Sequence, residues 1–151
     1  MNTGRVVALC LGPGGIPKRP VTEARLDRLG LVGDKHRHPE HGGENRAVCL
    51  FSTADYATLQ RDGVQANAPG SFGENLLIEG LDFNDLKPGD RLQFGDQVVL
   101  EIHDCREPCI TLESVDTRFP ALMEGRSGFL CQVVTCGILA PNLPVSVMIP
   151  H

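Results

Sequence analysis

A chain of 151 residues is the size of one domain, too short for two full hydrophobic cores and long enough to bury one without disulfide or metal staples. Fourteen Lys and Arg against 19 Asp and Glu give a net charge of -5, which argues against a general nucleic-acid binder that works by neutralising phosphates. Hydrophobic residues make up 41%, but no apolar run approaches the ~20 residues that span a bilayer, so membrane insertion is not expected. The first residues enter a β-like run with no export-signal pattern, which points to the cytoplasm. The six cysteines, at 10, 49, 105, 109, 131 and 136, are accordingly read as thiols.

Residues 5–11 (RVVALCL) predict a first strand. The GPGGIPKRP that follows breaks it, since proline has no amide hydrogen for a ladder. Residues 21–31 (VTEARLDRLGL) alternate apolar and charged positions, as in a half-solvated strand pair or an extended edge. Residues 33–44 (GDKHRHPEHGGE) hold no apolar side chain, and a loop of that length inside a compact domain usually has a function. A strand-to-helix unit is predicted over 46–62: the apolar run RAVCLF, an N-cap at Ser52 or Thr53, Asp55 in the first turn and Gly63 as the stop.

After a Pro69-Gly70 turn, residues 71–81 contain a short apolar strand. Residues 85–102 read as a meander, with turns at Pro88-Gly89 and Gly95-Asp96 between alternating apolar positions. One or two helical turns fit 117–124, and strands over 129–135 and 145–149 close the chain. About seven or eight short strands with Gly and Pro turns between them predict a mainly β fold, a barrel or sandwich with a few short helices, in one domain over 1–151.

Three groups of residues carry chemistry. The first is Asp34, Lys35, His36, Arg37, His38, His41 and Arg46. It reads as a solvated polar loop, as a zinc site through His36, His38 and His41, or as an anion pocket in which Lys35, Arg37 and Arg46 join amides beside Gly42-Gly43. The second is 104–109 (DCREPC). Arg106 favours a thiolate at Cys109, and Pro108 ends the strand, placing that cysteine where it can react. Cys105 is a bystander or a resolving partner. Cys10, Cys49 and Cys131 lie in apolar runs and are expected in the core, which weighs against a four-cysteine zinc site. The third is 69–76 (PGSFGENL), where Asn75 either caps a turn or points into a ligand.

Taken together, Gly33-Asp34-Lys35-His36, His41-Gly42-Gly43, Arg46-Ala47-Val48, Gly73-Glu74-Asn75-Leu76, Gly80-Leu81-Asp82, Pro88-Gly89-Asp90 and Arg106-x-Pro108-Cys109 resemble the MOSC family, named for the C-terminal domain of molybdenum-cofactor sulfurase. The order and spacing of these pieces cover about residues 5–149. The resemblance implies a MOSC-type β-barrel that binds a molybdenum pyranopterin (molybdopterin). Cys109 would ligate the metal or carry sulfur as a persulfide, with Lys35, His36, His41, Arg46, Asn75 and Arg106 as cofactor contacts. It further implies one of two activities: reduction of N-hydroxylated compounds with electrons from a partner reductase, or sulfur relay from a partner desulfurase. One stretch departs from the family pattern: where a Gly-Asp pair usually precedes the last strand, this chain has 137–144 (GILAPNLP).

Overall fold

The computed structural model describes residues 3–12, 17–34, 47–66, 68–106, 115–119, 121–123, 125–126 and 128–148. Lys35, His36, His38, His41, Arg46 and Cys109 lie outside the described residues, and with them the zinc and anion-pocket readings of the 35–46 segment.

The strands are β1 (Thr3–Leu11), β2 (Arg19–Val21), β3 (Ala24–Asp27), β4 (Gly30–Leu31), β5 (Val48–Ser52), β6 (Leu76–Glu79), β7 (Arg91–Phe94), β8 (Val98–Cys105), β9 (Phe129–Thr135), β10 (Gly137–Leu139) and β11 (Pro144–Val147). One helix, α1 (Thr53–Arg61), follows β5 directly. The main sheet runs β11-β7-β8-β9-β5-β6-β1, and pairing of β11 with β1 closes it into a seven-stranded barrel, with β2 added along β1. A small sheet, β10-β3-β4, lies beside it. Closure leaves the barrel strands without open edges, which is how an all-β domain of this size avoids sticking to others.

Two cores account for the apolar pattern. Val6, Leu50, Leu92, Phe94, Leu100, Ile102 and Val145 fill the barrel, each at 1% exposure or less. Phe51, Tyr56, Leu59, Phe72, Phe119 and Met123 pack α1 against the barrel wall. Strand β5 serves both: Val48 and Leu50 face the barrel interior while Phe51 faces the helix. That is why VCLFS reads as a continuous apolar run where β8 alternates.

Ser52 is the N-cap of α1, its hydroxyl accepting from the Asp55 amide at 3.0 Å, and Gly63 follows the helix at φ +89°. Among the described residues of the 117–124 stretch, Ala121–Met123 forms a 3-10 turn. In the stretch that departs from the family pattern, Asn142 takes φ +76°, the left-handed conformation glycine favours, and its amide donates to the Val6 carbonyl at 2.8 Å. Asparagine is one of the residues that tolerate this conformation, so the chain still turns into β11. Strand β10 carries no period-2 signal in three residues and was not anticipated. Among the described residues, no helix is long and apolar enough to cross a membrane.

Candidate functional site

The ends of β8 and β9, the start of α1 and the 80–84 turn enclose a cleft of about 790 Å³. Its lining includes Ser52, Asp55, Asp82, Phe83, Cys105, Arg106, Arg126 and Phe129. A register shift aims the β8 end into it. Ile102 pairs with Cys131 and Asp104 with Leu130, so His103 is an extra residue that bends the strand just before Asp104, Cys105 and Arg106. Phe83 and Phe129 form one wall, their ring centroids 5.5 Å apart.

Arg106 joins this cleft to a buried polar cluster. Its amide donates to the Gly128 carbonyl at 3.0 Å, and its guanidinium donates to the Phe72 carbonyl in the 70–75 loop. Glu74 holds that loop from inside: its carboxylate accepts from the Tyr56 hydroxyl at 2.5 Å, the Gly70 amide at 3.0 Å and the Phe72 amide at 3.2 Å. Burial pushes the Glu74 carboxyl up from its ordinary range, against the pull of those donors and of Arg106. The Tyr56 hydroxyl is likewise pushed up, by burial and by the Glu74 charge.

Asn75, the next residue and the last before β6, ties β1 and β5 to Asp34. Its side-chain oxygen accepts from the Cys49 amide at 2.9 Å, and its Nδ2 donates to the Cys10 carbonyl at 3.2 Å and to Asp34 Oδ2 at 3.0 Å. At 1% exposure, this amide is engaged within the protein on both sides. Asp34 in turn accepts from the Lys18 ammonium on both oxygens, at 2.9 and 2.8 Å, and from the Gly12 amide at 3.0 Å. This hub fixes the residue from which the 35–46 segment departs; the segment ends at Ala47, whose amide donates to the Cys131 carbonyl at 3.1 Å.

The cysteines divide as their sequence neighbours suggest. Cys10, Cys49 and Cys131 are buried, and Cys105 and Cys136 are exposed. Burial pushes the Cys10 thiol up to about 12 and raises Cys49 and Cys131 too, even though Arg106 and Lys18 pull Cys49 down. A thiol held neutral is a poor nucleophile, so reactivity is left to cysteines at the surface. Of the expected contact residues, Arg106 and Asn75 lie among the described ones, and the structure brings both to the 70–75 loop. Lys18, Glu74 and Tyr56 also meet at this loop, a grouping that no local sequence pattern marks. Of the three, Lys18 alone stands out in the sequence, between Pro17 and Pro20, a cation in a stretch that has little else to hold it.

The family model for the MOSC domain matches residues 37–146. The chain belongs to the MOSC domain family. The protein YiiM of Escherichia coli strain K12 is 30% identical over 156 aligned residues, covering 97% of this chain and 69% of YiiM. The crystal structure of YiiM from Escherichia coli superposes with a TM-score of 0.79 at 27% identity, over 99% of this chain and 71% of that one. A protein of Gibberella moniliformis named "Reductase" is 28% identical over 131 residues, 79% of this MOSC chain but only 22% of the fungal protein. The MOSC barrel expected from the motifs is thus the observed fold.

Proposed function

We propose that this MOSC protein binds a molybdenum pyranopterin in the cleft beside Arg106 and reduces N-hydroxylated compounds with electrons from a partner reductase. The cleft is the observation that carries the reading. Its volume of about 790 Å³ falls within the range of small-molecule sites, and aromatic rings, a guanidinium and acidic groups line it together. The residues present fit the group. The half-buried Phe83 ring, tilted 37° to the buried Phe129, would offer an aromatic contact to a pterin, and Arg106 in the same lining would attract a phosphate. Three residues beyond Arg106 comes Cys109, so roughly 11 Å of extended chain is the most that separates their Cα atoms. A thiolate there would hold molybdenum, which prefers soft sulfur donors. When bound, the cofactor supplies two-electron redox chemistry. Cys109 would hold it, Arg106 would anchor its charged end, and Lys35, His36, His41 and Arg46 are proposed as further contacts. Asn75 acts by positioning Asp34 and the strands around it.

The test is reduction of benzamidoxime by the purified cofactor-bearing protein, with reduced methyl viologen as electron source. The expected outcome is turnover that falls about 100-fold or more in Cys109→Ala, beyond the usual loss for residues that only support a metal ligand. A fully loaded protein that fails to reduce the probe but carries a mass increase of about 32 Da on Cys109, one sulfur atom, would show a sulfur-relay module instead.

A further inference from the structure

Removing a hydroxyl from nitrogen needs more than electrons. In an amidoxime the N–O bond breaks, two electrons enter from two equivalents of the external one-electron carrier, the oxygen takes one proton and leaves as water, and the nitrogen takes two protons, the second from solvent, to become the amidinium. The cleft must supply a group that gives up a proton beside that bond. Arginine holds its protons too tightly for this, which sets aside Arg106 and Arg126. Among the other described lining residues with an ionisable proton, Cys105 is an exposed thiol at the end of β8, and three are carboxylates: Asp55, Asp82 and Asp104. Two are already committed to backbone caps at the exposed rim, where Asp82 accepts from the Asn84 amide at 3.0 Å and Asp104 from the Cys105 amide at 2.8 Å. Asp55 differs from both. It is half-buried, it stands in the first turn of α1 among the cleft-lining residues, and its amide donates to the Ser52 hydroxyl at 3.0 Å.

We propose that Asp55 is the catalytic acid of this cleft, giving its proton to the departing hydroxyl and then holding the cationic amidine product as a carboxylate. The proposal rests on the reductase reading and names the residue within that site that does the proton work. Its surroundings suit the role. Burial raises the Asp55 carboxyl from its ordinary range and Asp82 across the cleft raises it further, outweighing the Ser52 hydroxyl and the Arg126 charge that lower it. Asp104 and Arg106 face it from the end of β8. A carboxyl shifted upward keeps its proton closer to neutral pH, which is what a general acid requires.

The sign of the pH dependence follows. Asp55 acts in its protonated form, so the rate falls as pH rises through its raised pKa. Replacing Asp82 by Asn removes a neighbouring negative charge, lowers that pKa and moves the fall to lower pH. Asp55→Asn removes the fall altogether and cuts the rate at low pH by about 10²–10⁴-fold, the range for loss of a general acid, while Asp55→Glu restores part of it. A second measurement reads the same group without turnover. Benzamidinium, titrated calorimetrically into the cofactor-bearing protein, binds more tightly as pH rises in the wild type and about tenfold or more weakly in Asp55→Asn. Molybdenum and pterin content is measured on every variant. Full content with an unchanged rate, pH profile and benzamidinium affinity in Asp55→Asn would overturn the role of Asp55 and leave the reductase reading standing. Absence of molybdenum and pterin from the wild type would overturn both.

Discussion

The Asp34 carboxylate, 2% exposed, is buried against a Lys18 ammonium that is itself only 7% exposed. A pair this deep gains little over apolar residues of similar volume, but losing one member strands the other. Asp34→Ala takes the acceptor from the Lys18 ammonium and the Gly12 amide and one of two acceptors from Asn75 Nδ2, and it is expected to cost about 3–5 kcal/mol. The double variant Lys18→Met with Asp34→Leu is expected to cost much less than the single losses added together, as read by urea denaturation. Additive losses would mean that the two side chains act independently. At this scale the sequence announces Asp34 only as part of a polar GDKH run. Its partner lies 16 residues back, within a glycine- and proline-rich stretch, and only the meeting of β1, β2 and β6 brings them together. Asn75 was open between cap and ligand contact for the same reason: a local pattern does not say which strands cross at a residue.

Elements whose determinants are local were legible. Ser52, Asp55 and Gly63 specify α1 within a dozen residues, and the Gly95-Asp96 turn joins β7 to β8 where alternation predicts it. The strand pair read over 21–31 is the antiparallel β3–β4 pair, whereas β2, partly inside the GPGGIPKRP stretch read as a break, and β10 show no period in three residues each. Their pairing is set by the barrel beneath them. Gly128 shows a constraint of the same non-local kind. It precedes β9 at φ +82°, and a Cβ there would lie 2.0 Å from the Leu50 carbonyl oxygen. Because its own carbonyl receives the Arg106 amide, this close approach also sets the cleft rim. Gly128→Ala is expected to destabilise the fold by more than about 1 kcal/mol from the backbone conformation alone, with the steric clash adding to it. It is also expected to lower the cofactor content of the folded protein. A variant as stable as wild type in thermal melts would show that β9 and β5 shift apart freely at this point.

For the molecule as a whole, composition and strand spacing gave the class, and the ordered motifs gave the family. Neither yields the closure of β11 onto β1, which joins residues 3–5 to 144–146 across almost the entire chain. The position of the cleft follows instead from the strand order β8-β9-β5-β6. That order brings the end of β8, the start of α1 and the 80–84 turn, three stretches without a shared sequence signature, to one mouth. Of the expected contacts among the described residues, Arg106 lines the cleft and Asn75 does not; Asp55 reads from sequence as a helix-start charge, and its place in the cleft depends on the opposite wall. The most direct test of the account is elemental and pterin analysis of the protein purified from a host that makes molybdenum cofactor, comparing wild type with Cys109→Ala. The account predicts molybdenum and pterin in near-equal amounts in the wild type and marked loss of metal in the variant. Wild-type protein with neither, or a variant that retains both in full, would contradict it.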